Sequence, residues 1–262
     1  RVALFGSGPL AHELAALLAE AGLGAILPED EAVGAQIVAR FPGTDTGAPL
    51  DTIPDLTLTL EPHVIDPLRA RALAQAGARH LPVTLREVSV RVGPLFEPDR
   101  PVCHDCLDLW ETDADACWPA IATQARLLPE PVLERLLLHQ CAALAVRAAL
   151  DCLGDAPDRW RAASTELSAD EPLGVARRWS PHPRCLCSQT ARASQTARAS
   201  RTTPAPRAMG AARGAGTSRP SRTAPREAEH PAADVDIVVG AASATPRAPA
   251  RSAAADPRTP GA

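Results

Sequence analysis

The sequence predicts a doubly wound α/β fold around a mostly parallel sheet, and two observations carry that expectation. It opens on an apolar run that ends in a glycine turn and passes directly into a helical repeat. Behind it, strand-like and helix-like stretches alternate, the pattern of parallel strands joined by crossover helices.

Val2 to Phe5 form the first strand and Gly6-Ser-Gly8-Pro-Leu-Ala11 the turn, after which Leu10, Leu14, Leu17 and Leu18 recur at helical spacing until Gly22. Gly24 to Leu27 reads as a second strand, closed by the acids Glu29-Asp30-Glu31. Leu56-Thr-Leu-Thr-Leu60 is a third strand, with a helix from Asp66 to Ala76 behind it and Gly77 as its stop. His80 to Leu85 is a fourth, followed by Val88-Ser-Val-Arg-Val-Gly-Pro-Leu-Phe96. Leu107 to Pro119 reads as an acidic loop carrying Trp110 and Trp118. A long helix follows, with Pro131 near its start and Leu133, Leu136, Leu137, Leu144, Val146 and Leu150 on its apolar positions before Gly154. Arg161 to Ser168 and Pro172 to Trp179 are two closing strands that deliver Pro181-His-Pro-Arg-Cys185-Leu-Cys187.

Composition divides the 262 residues at that point. Residues 1–187 carry 16 Arg against 26 acids and residues 188–262 carry 11 against 5, so an acidic front of −10 and a basic tail of +6 make the overall −4. Past Cys187 the hexad Ser188-Gln-Thr-Ala-Arg-Ala repeats from Ser194, and Ala, Pro, Arg, Ser, Thr and Gly dominate the rest. Such a segment buries too little apolar surface to offset conformational entropy, so 1–187 is expected to be the folded domain and 188–262 a disordered tail. Its Arg residues stand singly with no aromatics between them, which points to a solvated extension rather than a nucleic-acid surface.

Lys, Asn and Tyr are absent from the sequence, which excludes an amine nucleophile or a lysine phosphate clamp. Its seven cysteines are an odd number without a secretory leader, which argues against a disulfide framework and for a reducing, cytoplasmic setting. No run of residues approaches the roughly 20 uninterrupted apolar positions of a membrane span. The sequence opens on the first strand without an initiating Met, so a fragment, or the loss of an upstream domain, is expected.

Two constellations carry chemistry. Gly6-x-Gly8-x-x-Ala11 between a strand and a helix is a Rossmann-like, dinucleotide-type fingerprint, with Glu29 or Asp30 near the place of a ribose-binding acid. Exposed amides at the helix start would hold a phosphate. Equally, the glycines serve close strand–helix packing, and Pro9 removes one of those amides. The second constellation is Cys103-His-Asp-Cys106 with Cys185-Leu-Cys187. Four thiolates in two short clusters are expected to close a tetrahedral zinc site, with about 10–16 kcal/mol of apparent binding free energy coupled to folding. A closed sulfur shell leaves no coordination position for catalysis. His104 and His182 would stand in the second shell or replace a thiolate, although solvated loop histidines are the simpler reading. Cys117 lacks a neighbouring His and reads as a packed corner rather than a nucleophile, and Cys141 and Cys152 read as apolar fillers.

With strand, glycine turn, mid-sequence C-x-x-C and a late cysteine doublet in this order, the protein resembles the ThiF-like fold of ubiquitin-activating-type adenylyltransferases. More narrowly, the stretch from Gly93-Pro-Leu through Cys103-His-Asp-Cys106-Leu-Asp-Leu, Thr112-Asp113 and Trp118-Pro119 resembles the leader-peptide-binding cyclodehydratase accessory proteins of thiazole/oxazole-modified microcin biosynthesis. Trp179-Ser-Pro-His-Pro-Arg-Cys185-Leu-Cys187 resembles that family's terminal motif. The resemblance implies a zinc-stapled scaffold that presents a precursor peptide to a YcaO-type cyclodehydratase, which uses ATP to cyclise Cys, Ser or Thr side chains to azolines. It also implies an upstream winged-helix element that binds the leader, and this sequence starts after that point. Live adenylyltransferases of the fold use cations on ATP, and here Lys and Asn are absent and no Arg follows Glu29-Asp30 before Arg40. The nucleotide site of Gly6, Gly8, Ala11 and Glu29 is therefore expected to be degenerate and the domain non-catalytic. The rivals are a ThiF-type adenylyltransferase acting through Gly6, Gly8 and Glu29, a nicotinamide-dependent oxidoreductase, and a purely structural zinc module. Pairing of two copies into a homodimer stays open.

Overall fold

The computed structural model describes residues 1–47, 53–98 and 102–187. The expected disordered tail, residues 188–262, lies outside them. Seven strands form one sheet: β1 (Val2–Phe5), β2 (Ile26–Pro28), β3 (Leu56–Pro62), β4 (His80–Leu85), β5 (Ser89–Val92), β6 (Ala163–Ser168) and β7 (Val175–Arg178). Their order is β2-β1-β3-β4-β5-β6-β7. The helices are α1 (Gly8–Glu20), α2 (Glu31–Arg40), α3 (Pro67–Gln75), α4 (His104–Ala114), α5 (Trp118–Ala125) and α6 (Arg135–Leu153).

The sheet is mixed, which corrects the mostly parallel expectation. β1 to β4 pair in parallel, whereas β4 with β5, β5 with β6 and β6 with β7 pair antiparallel. For β4 and β5 the cause is the three-residue connection Arg86–Val88, because a parallel return needs a crossover of a dozen residues or more. Within the parallel half the order turns around between β1 and β3, so the carboxyl ends of these strands form the switch point where such sheets place ligands.

The two sheet faces differ in chemistry. Leu56, Leu58 and Leu60 of β3, Leu81, Val83 and Leu85 of β4, and Val90 and Val92 of β5 join one core with α1, α2 and α6. Each fully buried Leu or Val of this kind contributes roughly 1.5–3 kcal/mol. Helix α6 is long and apolar enough to cross a bilayer, yet Leu137, Cys141, Ala142, Ala145, Ala148, Ala149 and Cys152 are buried against this face. Its first turn is capped by the Glu134 carboxylate, which accepts from the amides of Leu136 and Leu137, so the helix begins after Pro131 rather than at it.

The opposite face carries Thr57, Thr59, Glu61, His80, Thr84, Arg91 and Ser164, all buried. The register places Thr57 beside His80, Glu61 beside Thr84 and Thr84 beside Arg91. Helices α3 and α4 cover the parallel end of this polar face, because Ala70, Ala74 and His104 line one cavity of about 170 Å³ with His80. A second, smaller cluster of Ile65, Ala70, Phe96, Val102, Cys106, Leu107, Trp179 and Cys185 closes this side.

Two stretches differ from the sequence reading. Helix α2 follows Glu29-Asp30, with Asp30 Oδ1 accepting from the amides of Ala32 and Val33. The expected acidic loop 107–119 is instead α4 and the start of α5, with Cys103 at the N-cap of α4.

Candidate metal centre

Cys103 caps α4 and Cys106 lies in its first turn, while Cys185 and Cys187 come from the turn after Pro183. All four Sγ atoms lie within 4.8 Å of one another. Cys103 is 3.8 Å from Cys106 and 3.6 Å from Cys185, and Cys106 is 3.3 Å from Cys187. No pair of them is joined in a disulfide. Four sulfurs about 2.3 Å from a central ion stand about 3.8 Å apart along the tetrahedron's edges, so the donor set fits a four-coordinate soft cation. The four residues that sequence spacing nominates are thus brought together and could hold a metal ion.

The sulfurs stand in a supported shell. The His182 amide donates to Cys106 Sγ at 3.4 Å. The His182 ring is wholly buried, and its Nδ1 accepts from the Arg184 amide at 3.2 Å. The ring proton therefore lies on Nε2, which donates to Asp113 Oδ2 at 2.9 Å. Trp110 meets the His182 ring edge-on, with centroids 4.6 Å apart, and donates from Nε1 to the Ser180 carbonyl. Arg184 pairs with the other oxygen of Asp113. The sulfurs are hydrogen-bonded to one another. Cys106 is held down to about 4 because the Cys103 thiol and two backbone amides donate to it, and Cys187 is pushed up to about 12, first by burial. A bound cation would replace those protons, leaving four thiolates.

His104 is buried but turns away from the sulfurs. Its Nδ1 lies 3.3 Å from Asp105 and its Nε2 3.2 Å from Asp108. The neighbouring Asp105 is held down to about 2, first by His104 and also by Arg71. Cys117 is exposed at the start of α5, whereas Cys141 and Cys152 are buried fillers pushed up to about 12 by burial.

The glycine turn sits at the switch point, and local packing accounts for Gly6. A Cβ on Gly6 would lie 2.7 Å from Leu60 Cβ, and Gly6 has φ +125°, so no other residue fits there. The Gly6 amide donates to Glu29 Oε2 at 3.0 Å, which occupies both groups. Ala11 is fully buried in the α1 packing. Further carboxylates surround this mouth. Glu130 Oε1 would lie 4.0 Å from a Cβ on Gly8, and His63, bonded to the Pro129 carbonyl, faces Glu87 at 3.5 Å. Buried Glu61, whose carboxyl burial pushes up, accepts from the Asp66 amide and pairs with Arg69. Sequence reading missed Glu61, His63 and Glu130; the Glu ending the alternation Leu56-Thr-Leu-Thr-Leu-Glu61 was the available signal for the first.

The α/β fold that carries the four-cysteine cluster is shared with solved structures of low sequence identity. Among solved structures the protein is similar to E. coli MccB, at 14% identity and a TM-score of 0.55, over 71% of this chain and 64% of that one. The microcin C7 biosynthetic enzyme MccB in complex with N-formylated MccA matches over 71% of this chain and 67% of that one, at 14% identity and a TM-score of 0.55. PaaA matches at 13% identity and a TM-score of 0.50, over 68% of this chain and 72% of that one. The protein therefore spans about two thirds of MccB, and the likeness is one of fold. No family model and no curated protein sequence matches it.

Proposed function

We propose that this protein is a ThiF-like accessory scaffold for azol(in)e peptide biosynthesis. In this reading it holds a structural zinc on Cys103, Cys106, Cys185 and Cys187 and presents a precursor peptide to a YcaO-type cyclodehydratase in the cytoplasm. Residues 1–187 are the working domain and 188–262 a low-complexity extension. One observation carries the reading: the separate motifs of the resemblance meet at one centre. The C-x-x-C and C-x-C sulfurs gather, and His182 of the terminal motif bonds Asp113 of the Thr-Asp pair. That MccB, with the same fold, was solved with its precursor peptide MccA supports a peptide-handling role.

The glycine turn supports a scaffold rather than an enzyme, since Glu29 and Leu60 account for Gly6 and the Glu130 carboxylate stands beside Gly8. Structures of MccB with ATP keep a ThiF-type adenylyltransferase as the second reading. Reconstitution separates them. The precursor peptide, ATP and the cyclodehydratase are incubated with and without this protein, and loss of one water per ring is followed by mass spectrometry. Ring formation that depends on its presence is the expected result. Pyrophosphate exchange by this protein alone with ATP and magnesium would replace the scaffold reading with the adenylyltransferase one.

A further inference from the structure

We propose that the polar sheet face between β5 and β7, built around Arg91, is a binding subsite for a carboxylate carried by a peptide. That the ligand is a peptide rests on the peptide-handling reading above; the carboxylate contact stands on the geometry alone.

Helices α3 and α4 leave the antiparallel end of the polar face as a cavity of about 320 Å³ lined by Arg91, Ser164, Glu166, Ser168, Glu171 and Arg177. Arg91 lies on β5, between Val90 and Val92, which are fully buried on the opposite face. A lone arginine there is costly unless its donors are used. Its side chain is 6% exposed, and Nη1 donates to Glu111 Oε1 at 2.9 Å. Its Nε–H is buried with no partner among the described residues.

The neighbouring carboxylates are shared with other donors. Glu111 Oε1 also takes Arg177 at 3.2 Å, and Glu166 Oε1 takes Arg86 at 3.1 Å and the Ser89 hydroxyl at 2.8 Å. Burial pushes the Arg91 guanidinium below its ordinary range and nearby Arg86 adds to this, with Glu111 and Glu166 opposing.

The donors are also held in place. Arg177 stacks 3.9 Å from the Trp179 ring centre and Arg91 lies 5.6 Å from it. Trp179 Nε1 donates to Ser164 Oγ at 2.9 Å, which leaves the Ser164 hydroxyl proton for a ligand. A guanidinium edge beside a hydroxyl matches a planar carboxylate, and fixed donors lower the ordering cost of binding. Glu166 and Glu171 in the lining weigh more heavily against a dianion such as phosphate than against a singly charged carboxylate.

The test is a ¹⁵N–¹H titration of arginine Nε–H signals in the full-length protein. The Arg91 signal is assigned by its disappearance in Arg91→Lys. The probes are N-acetylglutamate N-methylamide for a side-chain carboxylate, N-acetylglycylglycine for a terminal one, and N-acetylglutamine N-methylamide as the neutral control. Saturable movement of the Arg91 signal with either carboxylate and not with the neutral probe is expected, and the responding probe identifies the source. Followed through the Arg177 signal, Arg91→Lys should weaken binding about tenfold, the loss of one charged hydrogen bond. Followed through the Arg91 signal, exposed Arg177→Ala should weaken it less. No movement up to the solubility of either carboxylate, or equal movement with the neutral probe, overturns the proposal. Because the probes involve no cyclodehydratase, a failed reconstitution and a failed titration are separate outcomes.

Discussion

His182 and Asp113, 69 positions apart, are joined by a 2.9 Å hydrogen bond from Nε2 to Oδ2, and the same His182 residue donates its amide to Cys106 Sγ. One residue therefore ties the far end of α4 to the turn that delivers the second cysteine pair. These contacts hold the two cysteine-bearing segments against each other beside the sulfurs.

The first prediction concerns the ion. Purified protein should contain one zinc per molecule by elemental analysis, and Cys106→Ser or Cys185→Ser should lower its content and the thermal midpoint together. Structural zinc is worth about 10–16 kcal/mol of apparent binding free energy, so its removal by a chelator should expose the Trp110 and Trp179 region first. Zinc-free protein with an unchanged midpoint would remove the staple from the account.

The second concerns the support beneath the sulfurs. His182→Ala removes both ring contacts and should weaken zinc about 10–100-fold in competition with a chromophoric chelator, as loss of an outer-shell partner does elsewhere. Asp113→Asn keeps an acceptor oxygen for the His182 Nε2–H and should have the smaller effect. Equal affinities in all three proteins would make the His182–Asp113 bond irrelevant to the centre.

The third concerns the glycine turn. Gly6→Ala places a methyl group 2.7 Å from Leu60 Cβ at φ +125°. The cost should be at least about 2 kcal/mol in urea unfolding, from backbone strain and overpacking together. The same loss is expected with and without ATP–magnesium, since packing explains the residue. Stabilisation of the wild type, but not the variant, by nucleotide would restore the binding role of the motif.

The four-cysteine cluster was legible because it depends on residue type at short spacing, and Cys103, Cys106, Cys185 and Cys187 needed only the fold to converge. Strands β1, β3, β4 and β6 were legible from apolar runs and alternation. Strand direction was not, since periodicity is the same either way; the shortness of Arg86–Val88 was the available clue. Helix α2 buries only Val33 and Ile37, one turn apart, too thin a stripe to register. Helix α4 read as a loop because its buried residues, His104, Cys106 and Leu107, pack on sulfur and a small satellite core rather than along an apolar stripe. The polar face escaped notice for a related reason. Thr57 and Thr59 look like the solvent side of a strand, and only the helices above them make that side an interior.

That interior gives the last prediction. His80 is 2% exposed, accepts or donates at 2.7 Å with the Thr59 hydroxyl, and is held neutral: burial first, then His104 and Arg69, push it from 6.5 down to about 3. The unfolded state binds the proton near its ordinary value, while the folded state does not until far lower pH. The stability that depends on neutral His80 is therefore complete above pH 6.5 and is lost as pH falls towards about 3, at up to roughly 1.4 kcal/mol per pH unit. His80→Gln keeps a partner for Thr59 and cannot titrate. In paired urea unfolding curves from pH 7.5 to 4.5, the difference between wild type and variant should be flat above pH 6.5 and move steadily in the variant's favour below it. Because the sulfur centre titrates equally in both proteins, the difference isolates His80. A difference that stays constant across the range would mean that the His80 ring accepts a proton inside the fold.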